Sequence, residues 1–370
     1  MELSNNHIAS PIAYDRFGNM YVLASDGSTY KVPNIGYQCD EKIINFGYFD
    51  GGAWFCSNKN ILIYEDASKS WHSRSFDVFS FRSRLADYST VFGVDSADKN
   101  CVLINGNRAK LLVSLEGGNV KDYSLESDCI FCSGLVSNKG LLIAGMESRK
   151  ILDNCLESWG KPVILKLADG YSIENTCIDF NGAISLAEEL NGFEIEAVLD
   201  MCEAGNEKFL VASLMPKLKD MYLQSEDVYV EEQVLGDSLS TAFFSVEDGV
   251  SLIKTLHGQS YTGSKIKVGG GVRLYCIDSS LCVENTSINL TVINVCYEGK
   301  VTLLEGEIKG IDLPKGSRIN FVRIWFKAGF GYYGVVGYAF GLSEAGYLLR
   351  SEDGVKWDAD HPLLGPMNNQ

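Results

Sequence analysis

Tyr347-Leu-Leu-Arg-Ser351-Glu-Asp353-Gly354-Val-Lys-Trp357 is the stretch on which the reading of this chain turns. An apolar segment ends in an acidic residue, a glycine reverses the chain, and an aromatic residue follows. Aspartate accepts backbone N–H groups in a tight turn, glycine supplies positive φ, and tryptophan packs across the resulting hairpin. The segment therefore reads as two short strands joined by a tight turn.

The same plan recurs upstream. Met20-Tyr-Val-Leu-Ala-Ser-Asp26 is its first instance. Ala53-Trp-Phe-Cys56 followed by Ile61-Leu-Ile-Tyr-Glu-Asp66, ending at Trp71, is the second. Others end in Glu116, Asp153 and Asp227. The acidic anchors at 26, 66, 116, 153, 227 and 353 are spaced by 40, 50, 37, 74 and 126 residues. These intervals are near one, two or three units of about 40 residues, the period of propeller blades. Helix signals are few: Ser185–Leu190, and a turn or two within residues 213–224. The fold expected is all-β, a β-propeller of about seven blades, with six and eight as neighbouring counts and stacked β-sandwich domains as the alternative. One four-stranded sheet cannot bury both faces alone, and radial stacking solves this. Residues 1–370 are expected to form a single propeller domain whose N- and C-terminal strands close the ring.

Ser351–Trp357 resembles an Asp-box, the hairpin motif of sialidase-like (BNR) propellers. That pattern is Ser, any, Asp, any, Gly, any, Thr or Ser, Trp. Here Gly354 follows Asp353 directly, so the loop is one residue shorter. Tyr64-Glu-Asp66-Ala-Ser-Lys-Ser-Trp71 has the full spacing, with Tyr for the first Ser and Ser for Gly. The candidate structural-motif residues are Ser351, Asp353, Gly354, Trp357, Asp66 and Trp71. In the resembling family such boxes lie away from the catalytic centre, so the likeness implies a fold and hardly an activity.

Composition narrows the function. Hydrophobic residues at 46% and charged residues at 22% allow a large core. A net charge of −16 repels nucleic-acid phosphates and anionic membranes, so neither is expected as a partner. The 11 cysteines are odd in number and most lie among apolar neighbours, which favours buried thiols over a disulfide scaffold. Met1–His7 lacks a basic region and an apolar stretch, so no secretory signal is expected. The uncharged run between Lys327 and Glu344 is rich in Gly and Tyr and reads as paired strands, with no membrane insertion.

Chemistry-bearing patterns are incomplete. The four histidines, His7, His72, His257 and His361, are far apart in sequence and form no zinc motif. Cys129-Ile-Phe-Cys132 is a lone C-x-x-C without a second pair. Gly258-Gln-Ser-Tyr-Thr-Gly263-Ser-Lys265 approaches a phosphate-binding loop but reverses the final order, and is read as an ordinary loop. No catalytic residue, cofactor site or metal site is assigned. The expectation is a non-enzymatic structural or interaction propeller. In style it resembles bacteriophage virion accessory proteins of the tail or decoration, assembled without a signal peptide. Its partners would be other virion or assembly proteins, or a host-surface glycan. The alternative is a sialidase-like glycoside hydrolase or a carbohydrate-binding propeller, whose exposed aromatics would stack on sugars.

Overall fold

The computed structural model describes the strands named below, residue 190, and the connections at 205–206, 257–258, 269–270, 287, 296–300, 310–313, 317 and 352–355. The described strands fall into consecutive antiparallel meanders. The first has three strands, β1 (Ile8–Tyr14), β2 (Met20–Ala24) and β3 (Thr29–Val32). Each later meander has four. They are β4 (Ile43–Phe49), β5 (Gly52–Ser57), β6 (Asn60–Glu65) and β7 (Ser70–Ser75); β8 (Val91–Ser96), β9 (Cys101–Asn105), β10 (Lys110–Ser114) and β11 (Val120–Lys121); and β12 (Cys129–Ser137), β13 (Gly140–Ser148), β14 (Trp159–Leu167) and β15 (Ile173–Glu174). Then come β16 (Phe193–Ala204), β17 (Glu207–Pro216), β18 (Ser240–Val246) and β19 (Val250–Leu256). The last two are β20 (Gln259–Val268), β21 (Gly271–Asp278), β22 (Ile288–Val295) and β23 (Val301–Lys309), and β24 (Arg318–Lys327), β25 (Gly331–Phe340), β26 (Ser343–Ser351) and β27 (Lys356–Pro362).

The chain divides into two compact units. One comprises Met1–Gly160 with Ile164–Thr176, the other Lys161–Val163 with Cys177–Gln370. In the first, the meanders starting at β8 and β12 join through a parallel pair of their first strands, Gly134 opposite Val94. In the second, the last two meanders join through a parallel pair of their last strands, Ile308 opposite Trp357. β1 pairs with β2, and β27 with β26 and β23.

Packing is clearest in the second unit, where β21 and β22, the central strands of the β20–β23 sheet, are covered on both faces. Val272, Leu274 and Cys276 of β21 pack with Phe209, Val211 and Phe243 of the β16–β19 sheet. Tyr275 and Ile277, on the opposite face of the same strand, pack with Val322, Val336, Leu349 and Trp357 of the β24–β27 sheet. Strand side chains alternate between faces, so a sheet in the middle of a stack must be apolar at both parities. β22 obeys this: Leu290 and Val292 join one cluster and Ile293 and Val295 the other. Each fully buried aliphatic or Phe side chain contributes about 1.5–3 kcal/mol.

Several sequence expectations change here. Of residues 213–224, read as a helical turn or two, 213–216 are strand, because β17 lies between β16 and β18 with Phe209–Ala212 and Leu214 buried, and 217–224 lie outside the described residues. Pro216 is tolerated because it ends the strand. The stretch 258–265, read as a loop, is mostly β20. Its ladder passes from Tyr261 opposite Cys276 to Lys265 opposite Leu274, leaving a bulge between them. Gly263 at φ 72° permits the bulge. Within the uncharged run after Lys327, Gly331–Phe340 form β25, paired on both sides, and no described helix is long and apolar enough to cross a membrane. Most of Ser185–Leu190, and the second halves of the repeat segments ending in Asp153 and Asp227 (151–153 and 221–227), lie outside the described residues.

If the two faces of the middle sheet hold the stack together, Leu274→Ala should cost about 2–5 kcal/mol. Urea unfolding should show it, together with a far-ultraviolet circular-dichroism spectrum dominated by strand.

Candidate functional site

The turn between β26 and β27 is built from its own side chains. Asp353 Oδ1 accepts the N–H groups of Val355 and Lys356, each at 2.8 Å. Ser351 Oγ accepts the Gly354 N–H at 2.8 Å and lies within bonding reach of Asp353 Oδ1, at 3.1 Å, and of the Lys356 carbonyl. Burial works to raise the Asp353 pKa, and the Lys356 and Val355 amides and the Ser351 hydroxyl outweigh it, so the carboxyl lies below its usual 3.8. Gly354 has φ 71°, and a Cβ there would meet Tyr332 Cε1 at 2.8 Å and Arg273 Nη1 at 2.9 Å. Backbone conformation and space both require glycine.

This turn is fastened to the neighbouring meander. Arg273 of β21 donates from Nη1 to the Asp353 carbonyl and from Nε to Asn294 Oδ1. The Tyr275 hydroxyl donates to the Gly354 carbonyl at 2.9 Å, and burial holds that hydroxyl well above its ordinary pKa. Trp357 is 1% exposed and meets Tyr275 edge to face, with ring centroids 6.2 Å apart. Its Nε1 has no hydrogen-bond partner among the described residues, so packing holds the ring. Arg273 also lies 6.0 Å from the Tyr332 ring centroid, and Tyr332 meets the exposed Phe326 at 4.9 Å.

A second polar node joins β16 to β20. Lys265 donates to Asp200 Oδ1 at 2.9 Å and to the Met201 carbonyl at 2.8 Å, and the Tyr261 hydroxyl donates to Asp200 Oδ2 at 2.7 Å. Burial, then the Asp200 charge, pushes the Tyr261 phenol well above its usual pKa. Burial likewise pushes the Cys276 thiol up to about 12. Neither is set up to act as a nucleophile near neutral pH. In the β20 bulge, Ser264 Oγ accepts the Ile324 N–H at 3.0 Å and donates to the Val322 carbonyl at 3.4 Å, bonding β20 to β24.

Of the sequence candidates, Ser351, Asp353, Gly354 and Trp357 come together in one turn. Trp71 lies on β7 opposite Tyr64, and Asp66 lies outside the described residues. Cys129 and Cys132 lie on strand β12. His257 is exposed beside Phe193, with centroids 5.6 Å apart. Among the described residues no group of three or more His, Cys, Asp or Glu could hold a metal ion. The sequence reading missed Arg273, Tyr275 and Asp200, and took Ser264 and Lys265 only as part of an ordinary loop. No local pattern marks them, since each acts on a residue 58 to 80 positions away.

No family model matches the chain, and no curated protein matches it. Solved structures do. The β-propeller domain of Swd1 from Myceliophteria thermophila is 10% identical, with 91% of this chain and 94% of that chain covered and a TM-score of 0.42. The WD40 domain of SCAP from fission yeast is 10% identical, with coverage of 95% and 83% and a TM-score of 0.40. Dihydro-heme d1 dehydrogenase NirN is 9% identical, with coverage of 100% and 66% and a TM-score of 0.46. Nothing of those proteins' function carries over at this level of likeness.

Truncating Trp357 to alanine should cost about 3–5 kcal/mol through lost burial. Asp353→Ala should cost about 1–3 kcal/mol through turn amides left without an acceptor. Both should appear as lowered denaturation midpoints. The charge of Asp353 is favoured by folding, so its contribution is present above pH 3.8 and lost as pH falls through the lower folded value. The stability gap between the wild type and Asp353→Asn should therefore narrow on acidification below that pH.

Proposed function

We propose that the chain is a β-propeller of seven blades, one per meander, which works by binding and carries out no reaction. One observation carries the functional reading. Asp200, Tyr261, Lys265, Arg273, Tyr275 and Asp353 are chemically capable side chains, and each bonds across or within the joints between sheets. They build a framework. Among the described residues, the exposed large apolar side chains Tyr297, Leu303 and Phe326 are of the kind that binds partners.

Two features support the propeller. The central strands of the middle sheet of the second unit, β21 and β22, are buried on both faces, as in a radial stack. Equivalent strands of adjacent meanders also run parallel where they pair, first with first at β8 and β12, and last with last at β23 and β27. Rotation of a repeated sheet about an axis produces that relation. We further propose that the terminal segments close a single ring, and that the protein is one of several copies in a bacteriophage virion, in the tail or as decoration. Its partners there would be other virion proteins or a host-surface glycan. The Asp-box likeness of Ser351–Trp357 and the net charge of −16 support this placement, through resemblance to acidic virion propellers.

Deletion of residues 1–24, which removes β1 and β2, should lower the stability of the whole chain; a truncated protein that melts like the intact one rules out closure through this segment. Native assemblies purified from the source should contain the chain with other proteins. Recovery only as a free monomer, with turnover of a glycoside that one Asp or Tyr substitution abolishes, would replace binding with catalysis.

A further inference from the structure

β23 has one closed edge and one largely open edge. Along Val301–Ile308 it pairs with β22. On its other side β27 pairs only with Glu307–Lys309. The Glu307 N–H, which donates to the Val355 carbonyl at 3.3 Å, shows which residues point away from β22. Antiparallel partners alternate in direction, so Leu303 and Glu305 share that parity. Their N–H and C=O groups face outward and have no partner among the described residues. Both side chains are exposed, Leu303 at 42%. The open segment ends at Gly306, where a Cβ would lie 2.6 Å from the Val355 carbonyl oxygen.

We infer that the open edge of β23 at residues 301–305 takes up an extended basic peptide segment of a partner protein as an added strand. The inference rests on the binding reading above and names the partner's chemistry. Unpaired strand edges accept extended peptides, with backbone bonds giving affinity and alternate side chains giving selectivity. Leu303 and Glu305 stand two apart on one face and ask for an apolar residue two positions from a cation. A chain of net charge −16 favours a basic strand over an acidic one, and over a second copy of itself.

The test uses the full-length protein and acetylated Lys-Thr-Val-Thr-Lys amide, whose palindromic order fits either strand direction. Calorimetry should detect binding that weakens as salt rises, and amide exchange should slow at Leu303 and Glu305. A peptide N-methylated at all five residues keeps its charges but cannot bond as a strand, and should bind at least tenfold more weakly. Glu305→Lys should weaken the parent peptide severalfold. Equal binding of the N-methylated peptide would reveal charge attraction alone and overturn the proposal. So would indifference to Glu305→Lys, unchanged exchange at the two amides, or their protection by concentration-dependent dimerisation without peptide. Failure of peptide binding in a protein still found in native assemblies removes the edge site only. Glycoside turnover would remove the binding reading while leaving the edge result intact.

Discussion

A sheet in the middle of a stack has no face left for water, and the second unit depends on that constraint. β21 and β22 are apolar at both parities because each must fill two interfaces. Interiors pack as densely as organic crystals, so the spacing of one joint limits the other. The β20–β23 sheet is therefore the reference surface for its neighbours. The residues of β21 and β22 can change little without being felt on both sides.

Apolar contact alone leaves adjacent sheets able to slide, since it is non-directional. Each joint adds directional bonds. Lys265 and Tyr261 fix β20 against Asp200 of β16. On the other face, Ser264 bridges to β24, and Arg273 and Tyr275 hold the turn at residues 353–354. The Tyr261–Lys265 bulge serves both joints. It carries Tyr261 and Lys265 toward one neighbour and Ser264 toward the other. Tyr261 and Lys265 share one strand parity and Ser264 has the other, so strand alternation makes this division and the bulge leaves it intact.

The strand content was legible because it rests on local chemistry: short apolar runs separated by turn residues. The turn at Ser351–Trp357 was legible for the same reason, since its bonds span at most five residues. The bulge was not. Tyr-Thr-Gly-Ser-Lys looks like a polar loop, and only pairing with β21 and β24 makes it a strand. Arg273 was equally hidden, because its partner lies 80 residues away and a lone arginine in an apolar run carries no sign of which turn it will hold. The helical reading of residues 213–216 failed for a related reason, the ladder on both sides of β17 overriding local propensity.

An open strand edge is a hazard that proteins contain with charge, short length or cover. All three act on β23. β27 covers its end, Val355 closes the ladder beyond Gly306, and Glu305 stands exposed in the remaining gap. These devices do not weigh equally on all comers. Two copies of this chain meeting edge to edge bring together surfaces of net charge −16 each, and the repulsion acts over a Debye length of about 8 Å at physiological salt. A basic strand meets attraction over the same range. The charge that keeps the free protein from pairing with itself thus selects which partner can use the unbonded groups of Leu303 and Glu305. Solubility and selectivity follow from one feature of the sequence, and altering that charge should change both together.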